Sequence, residues 1–273
     1  MIRSLLLLLV LLVSASALRA QALDTVTLAY RFTPGQSISY RVVSKDSIVM
    51  YDSVRKTFVN DRVEIIEYHC DTIVTDGYVM TMTLREYAAT ESIDGVPPIT
   101  RVTHPWVGRP VTFLMSPTGK RLNLLELTRT PGVAPGGPFA PLLLPFLGDS
   151  ASHIGASGSM NHSYWLFDNV YPPVYWKGVT FRVLPRRQDS PYGSVVVVSL
   201  SDVGTVAYKL PGTEIISQTI VNGAGNYYLS PKLGAMAGGF YELIGKISIK
   251  VSPNREIRGT HTLKMNYEMI TPE

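Results

Sequence analysis

The chain has 273 residues, of which 45% are apolar, so it is long enough for one large domain or two small ones and too rich in core-forming side chains to be mostly disordered. Its formal net charge of +4 includes Arg3 and Arg19, and the chain has no long basic run, which argues against nucleic-acid binding. The single cysteine, Cys70, excludes a disulfide within the chain. We expect a buried core thiol there, with an inter-chain disulfide as the alternative.

Residues 1–22 carry the features of an export signal. Arg3 gives a positive start, Leu5 to Val13 form an unbroken apolar run, and Ala-x-Ala patterns end at Ala17 and Ala22. The run is shorter than a bilayer span requires, so we predict a cleaved signal peptide, no transmembrane anchor, and delivery to the periplasm or the cell exterior. No cysteine stands at the cleavage point, which excludes a lipid anchor of the bacterial lipoprotein type.

The first half of the remaining chain alternates apolar and polar residues between short turn sequences. This period of two predicts strands over Thr25–Tyr30, Ser37–Val42, Val63–Val74, Tyr78–Leu84, Val111–Met115 and Arg121–Leu127. The turn residues predict reversals at Pro34-Gly35, Asp76-Gly77, Asp94-Gly95 and Ser116–Gly119.

The second half repeats the same pattern, and no segment after the signal has a long helical period. Strands are predicted over Val179–Leu184, Ser194–Leu200, Thr205–Leu210, Glu214–Val221, Tyr227–Leu229, Phe240–Val251 and Ile257–Ile270. Asn222-Gly223 is the strongest hairpin signal in the chain, because both residues tolerate positive φ.

Residues 131–162 interrupt the strand pattern. Residues 131–138 are rich in proline and glycine, Phe139–Leu147 is strongly apolar but broken by prolines, and Gly155–Ser159 is small and flexible. The leucines argue against full exposure, so we interpret the segment as a flap or plug that packs on a sheet face. A linker between two halves and a partner-binding segment are the alternatives.

Together these patterns predict an all-β fold. We expect residues 23–273 to form a single β-rich domain, built as one curved antiparallel sheet or open half-barrel, with the Pro/Leu-rich flap over one face.

Motifs for metal or catalytic chemistry are weak. The five histidines show no ligand spacing, so no metal and no cofactor is predicted; the one arrangement to consider for zinc is His153 and His162 with Asp149 and Asp168. Ser157 stands in a glycine-rich stretch that lacks the final glycine of a nucleophile elbow, so a flexible loop is the preferred interpretation.

Acidic residues are concentrated near the start of the Val63–Val74 strand. Asp61 and Glu67 share one face of the predicted strand and Glu64 lies on the other, and we interpret all three as solvated positions rather than a catalytic pair.

Seven aromatic residues fall between Tyr164 and Phe181, among them Trp165 and Trp176. Flat rings can bind apolar or ring-bearing ligands, and they can equally seal the core where the chain re-enters the sheet. The second interpretation is preferred.

Two patches, Tyr30 to Tyr40 with its Pro34-Gly35 turn and Phe113 to Lys120, resemble a group of uncharacterised exported bacterial β proteins. This resemblance implies an open antiparallel sheet like that of the periplasmic lipoprotein carriers (LolA-like), and a place in the cell envelope. It covers about a third of the chain and implies no catalytic residue.

The leading functional prediction is therefore a non-enzymatic exported envelope protein that binds an apolar small molecule, a lipid or an envelope protein partner in the concavity of a sheet. The predicted ligand-binding residues are Phe139, Leu142, Leu143, Leu144, Phe146, Leu147, Trp165 and Trp176. A structural or adhesive envelope protein is the second hypothesis, and a serine-type hydrolase using Ser157 with His153 or His162 is the third.

Overall fold

The computed structural model describes residues 25–127, 143–147, 151–153, 157–165, 174–190, 192–209, 213 and 215–270. These residues form strands and no helix, which confirms the all-β prediction. The strands are β1 (Thr25–Thr27), β2 (Ser37–Tyr51), β3 (Arg55–Val74), β4 (Gly77–Ile93), β5 (Val96–Arg101), β6 (Pro110–Met115), β7 (Arg121–Leu127), β8 (Ala151–His153), β9 (Ser157–Trp165), β10 (Val174–Ser190), β11 (Gly193–Lys209), β12 (Ile216–Ser230), β13 (Ala235–Ser252) and β14 (Arg255–Ile270). The described part of the chain contains no helix long and apolar enough to cross a membrane.

Twelve of the described strands form one antiparallel sheet. Eleven of them follow the order β7-β6-β4-β3-β2-β14-β13-β12-β11-β10-β9, and the twelfth, β5, pairs with the C-terminal part of β4. The sheet is two meanders joined side by side, because β2 of the first half pairs with β14 of the second along its length. Its two end strands, β7 and β9, do not pair with each other in the described residues, so the sheet is open. β1 and β8 form a separate two-stranded sheet.

The strands are longer than the sequence pattern predicts. The predicted strand Ser37–Val42 continues to Tyr51, and β3 begins at Arg55 and runs for 20 residues, or about 65 Å of extended chain. The extra length was missed because residues 43–62 place polar side chains on both faces, which hides the period of two. The four predicted turns of the first half are confirmed, with positive φ at Gly35, Gly77, Gly95 and Gly119.

The predicted hairpin turn at Asn222-Gly223 is wrong, because both residues lie inside the continuous strand β12. Glycine is needed at position 223 for close packing and not for a chain reversal. A Cβ atom there would lie 1.9 Å from the Tyr241 hydroxyl. That hydroxyl donates to the buried carboxylate of Asp202 at 2.8 Å. The predicted break between Leu200 and Thr205 is wrong as well, since β11 is continuous across it.

The apolar core lies on one face of the sheet, toward the end where the chain turns between β3 and β4 and between β12 and β13. We call this the core end, and the sheet face that carries the core the inner face. Buried tyrosines dominate it: Tyr40 packs edge to face against Tyr68 and Tyr267, with ring centroids 6.1 and 5.5 Å apart. The Cys70 thiol is buried there too, as expected for a core thiol.

The outer face of the sheet is exposed and carries charged side chains together with apolar ones such as Val203, Ile220 and Ile244. Ion pairs join neighbouring strands across it, such as Arg41 with Glu268 and Lys264 with Glu242. Each exposed pair contributes at most about 1 kcal/mol, so the inner face provides most of the stability.

Candidate functional site

The inner face changes from apolar to charged about halfway along the long strands. On β2 the inward positions run from Tyr40 and Val42 to Ser44 and Asp46. The neighbouring strands change in the same place, so ionisable residues from three strands meet. We call this group the charged layer: Asp46 on β2, Arg62 and Glu64 on β3, and His261 on β14.

Hydrogen bonds and ion pairs hold the charged layer together. The Arg62 Nε group donates to Ser44 Oγ at 3.1 Å, and the Arg62 Nη2 atom lies 3.5 Å from Asp46 Oδ2. On the other side of β2, the His261 Nε2 atom is in hydrogen-bond contact with Asp46 Oδ1. Asp46 therefore bridges a guanidinium group and an imidazole ring that come from opposite ends of the chain.

The charged layer is almost completely removed from water. Arg62 is 7% exposed, and Glu64 and His261 are each 1% exposed. Burying an ion costs several kcal/mol even after relaxation, and well-packed apolar side chains of similar size often give the same or greater stability. A buried cluster of this kind beside a cleft is a candidate functional site.

A cavity of about 740 Å³ lies on the charged layer. It extends away from the core end, under β5 and the residues that follow it. Its lining comprises Asp46, Ile48, Phe58, Val59, Asn60, Arg62, Glu64, Tyr87, Glu91, Ser92, Ile93, Arg101, Thr103, His104 and Pro105.

The far side of the cavity carries Tyr87 and His104, whose ring centroids are 4.7 Å apart. Burial, followed by the positive charge of Arg62, lowers the pKa of His104 below its ordinary value. Burial raises the pKa of Tyr87, so this phenol stays protonated. Both groups therefore offer neutral hydrogen-bonding atoms to the cavity at neutral pH.

The part of the cavity lining farthest from the core end includes large apolar side chains. Ile48, Phe58 and Ile93, from three adjacent strands, lie there on the inner face, and we call these three residues the rim. Next to the rim, in the same cavity lining, the Arg101 Nε group donates to Glu91 Oε2 at 2.7 Å. The site thus has an ionic floor and an apolar rim, which matches a ligand with one polar and one apolar end.

The described residues form no group of three or more histidine, cysteine, aspartate or glutamate side chains placed to hold a metal ion. The charged layer already pairs its carboxylate at Asp46 with Arg62 and His261.

The predicted flap residues that the structure describes lie in the core. Leu143, Leu144 and Leu147 are buried, and Phe146 is half-buried. None of these four residues lines the cavity. Their part in ligand binding stays a prediction, and the segment from 143 to 147 is not helical.

Three hydrogen bonds fix this segment on the sheet. The Tyr267 hydroxyl donates to the Leu143 carbonyl at 3.1 Å, the Tyr30 hydroxyl donates to the Pro145 carbonyl at 2.9 Å, and the Leu147 amide donates to the Thr118 carbonyl at 2.9 Å. Gly119 allows this approach, since a Cβ atom there would lie 2.4 Å from the Pro145 carbonyl oxygen.

Of the other predicted ligand-binding residues, two lie outside the described part of the chain and two lie on strands. Phe139 and Leu142 lie outside the described residues. Trp165 ends β9, where it pairs with Val174, and Trp176 lies two residues further along β10. The structure describes the backbone of both tryptophans.

The predicted hydrolase residues lie on strands. Ser157 begins β9, so the predicted flexible loop does not extend to it, and His162 lies five residues later on the same strand. That spacing separates their Cα atoms by about 16 Å of extended chain, which is beyond hydrogen-bond reach. His153 belongs to β8, where it pairs with Thr25.

The sequence interpretation missed the charged layer, and the prediction of a solvated Glu64 is wrong. The sequence does contain a signal for the buried position of Glu64. This residue lies two and four residues before the core residues Ile66 and Tyr68 on the same strand, so it shares their buried face. His261 likewise shares a face with Leu263 on β14. The prediction that Asp61 lies on the opposite face and in water is confirmed.

Comparison with known proteins gives no family. No protein-family model matches the chain, and no curated protein matches it. Among solved structures, the chain is similar to OmpT, an outer membrane protein of Vibrio cholerae folded in vitro, in its trimer form, with 7% identity and a TM-score of 0.19 over 87% of this chain and 100% of that chain. A likeness this low carries no argument.

Proposed function

We propose that this chain is an exported binding protein, not an enzyme, that holds an amphipathic small molecule in the concavity of its sheet. The cavity of about 740 Å³ carries the proposal, because it joins a buried ionic floor to an apolar rim. That volume suits a drug-sized ligand. Export rests on the sequence of residues 1–22 alone.

The arrangement favours one orientation of the ligand. A polar head would lie at the floor of the cavity, next to Arg62, Glu64 and the neutral Tyr87 hydroxyl, and would add hydrogen-bonding atoms beside groups that are costly to bury. The apolar part would cover Phe58 and Ile93, which are 37% and 40% exposed. Covering these side chains would supply the hydrophobic part of the affinity.

Ligand binding can be tested with N-phenyl-1-naphthylamine, whose fluorescence rises in apolar sites, displaced by dodecyl compounds with different head groups. We expect Ile93→Asp to weaken binding about tenfold or more, because a charge replaces an apolar contact worth at least about 1.4 kcal/mol. Ile244→Asp makes the same substitution at an exposed position of the outer face, so it is the matched control and should bind normally.

Two results would reject the proposal. Either the folded wild-type chain fails to bind the probe and any dodecyl compound, or Ile93→Asp and Ile244→Asp behave alike. The first result would favour the structural or adhesive envelope protein. Mass spectrometry of small molecules extracted from the purified chain would identify a natural ligand if one co-purifies.

A further inference from the structure

Three hairpin turns meet at the end of the sheet opposite the core end. They are the turns between β2 and β3, between β4 and β5, and between β13 and β14. The Arg255 Nη2 group donates to Asp52 Oδ2 at 2.9 Å and so joins two of the turns. The Asp94 amide donates to the Thr57 carbonyl at 3.1 Å and joins the third turn to β3. We call this region the hairpin end.

The hairpin end exposes large apolar side chains. Val54 is 65% exposed in the turn, Val96 is 48% exposed, and Tyr51, on the outer face of β2, is 49% exposed. Ile99 and the rim residues Phe58 and Ile93 continue this apolar surface toward the cavity. Apolar groups clustered on a surface mark a site for a partner or a membrane.

Cationic side chains surround these apolar groups and outnumber the acidic ones. The cations are Arg55, Lys56, Lys250, Arg255 and Arg258, and the acids are Asp52, Asp94 and Glu256. Arg255 and Arg258 are paired with Asp52 and Glu256. Arg55 and Lys56 form no ion pair with any residue that the structure describes, so their charges face the solvent.

We propose that the hairpin end docks on an anionic lipid surface. Apolar side chains at a protein tip gain free energy by entering the boundary between head groups and acyl chains, and lysine and arginine around them are attracted to anionic lipids. The hairpin end combines excess positive charge with exposed valine and tyrosine side chains. This combination matches an anionic lipid surface and does not match a cationic or a purely apolar surface. The inference does not depend on the proposed ligand.

The position of the cavity is consistent with this orientation. The rim residues Phe58 and Ile93 lie on the strands that carry the hairpin end, so docking would bring the rim of the cavity to the lipid surface. An amphipathic molecule could then pass between bilayer and cavity with little exposure of its apolar part to water.

The test is co-sedimentation of the purified full chain with phosphatidylcholine vesicles that contain or lack phosphatidylglycerol. Two double variants change the hairpin end: Val54→Asp with Val96→Asp, and Arg55→Glu with Lys56→Glu. Matched controls make the same kinds of change at exposed positions of the core end: Ile73→Asp with Val74→Asp, and Lys120→Glu with Lys232→Glu. All are turn or strand-end positions, and circular dichroism confirms the fold of each.

We expect the wild-type chain to bind vesicles that contain phosphatidylglycerol and to bind less as salt is added. Each hairpin-end variant should lower the partition coefficient about tenfold or more, and the core-end controls should leave it unchanged. Three results would overturn the inference: no binding to phosphatidylglycerol vesicles, equal binding to vesicles without phosphatidylglycerol, or equal loss in hairpin-end and core-end variants.

Discussion

At the scale of single residues, the charged layer shows how a strand can carry ionisable groups within a buried face. Asp46 forms an ion pair with Arg62 on one side and contacts His261 on the other, so it has a partner on each neighbouring strand. Low local polarity strengthens these contacts, and it makes the loss of any one partner costly. The same low polarity acts on His104 across the cavity.

His104 makes stability depend on pH. Its pKa in the folded chain is lowered, first by burial and then by Arg62, so the folded chain binds this proton less readily than the unfolded chain. Stability is therefore highest above the ordinary histidine pKa of about 6.5 and falls as the pH drops from there through the lowered folded value. We expect His104→Gln to flatten this part of the curve in urea unfolding series at successive pH values.

His69→Gln provides the control, because His69 is on the outer face and about one third exposed. An acid dependence that survives His104→Gln, or that His69→Gln also removes, would show that another group is responsible. The carboxylates of Glu64 and Glu91 near the cavity are present in both variants.

At the scale of elements, the segment of residues 143–147 fastens the core end. It has no regular secondary structure, yet it inserts Leu144 and Leu147 into the core and satisfies its carbonyls with tyrosine hydroxyls. The prolines around it exclude a strand or helix, so side chains take over the hydrogen bonding that a ladder would provide.

Leu144→Ala should destabilise the chain by about 2–5 kcal/mol, because it leaves a cavity under a fully buried side chain. Leu122→Ala is the matched control, since Leu122 is 42% exposed and its truncation should change stability by less than about 0.5 kcal/mol. Urea unfolding followed by tyrosine fluorescence measures both. Equal stability of the two variants would mean that the segment contributes little to the core.

Strand identity was predictable at this scale, and strand extent was not. The alternation of Ile66, Tyr68 and Cys70 marks β3 clearly, whereas residues 55–62 carry polar groups on both faces and give no periodic signal. At Asn222-Gly223 the local turn preference was overruled by packing, since Tyr241 needs the space that Gly223 leaves.

At the scale of the whole molecule, the two meanders are joined by strands from opposite ends of the chain. Asp46 and His261 are 215 residues apart in sequence and meet only because β2 pairs with β14. No single-sequence pattern fixes that pairing, so the face of each residue was predictable while the assembly of the charged layer was not.

The central position of β14 predicts unusual protection for a strand so near the end of the chain. We expect its amides, up to about Met265, to exchange hydrogen as slowly as those of β3 and β13, because both of its edges are paired. Hydrogen exchange followed by mass spectrometry of peptides from β14 measures this. Exchange as fast as in a frayed terminus would contradict the strand order.

Pairing of β2 with β14 also sets the order in which the chain can mature. Until Arg255–Ile270 has been synthesised, the first meander presents β2 as an open edge with no neighbour, and an open edge invites pairing with other chains. The edge of β2 can be paired only after the last strand has been made, and contacts between residues so far apart in sequence form slowly. From the completion of β2 until β14 is available, that edge can therefore pair wrongly with other chains.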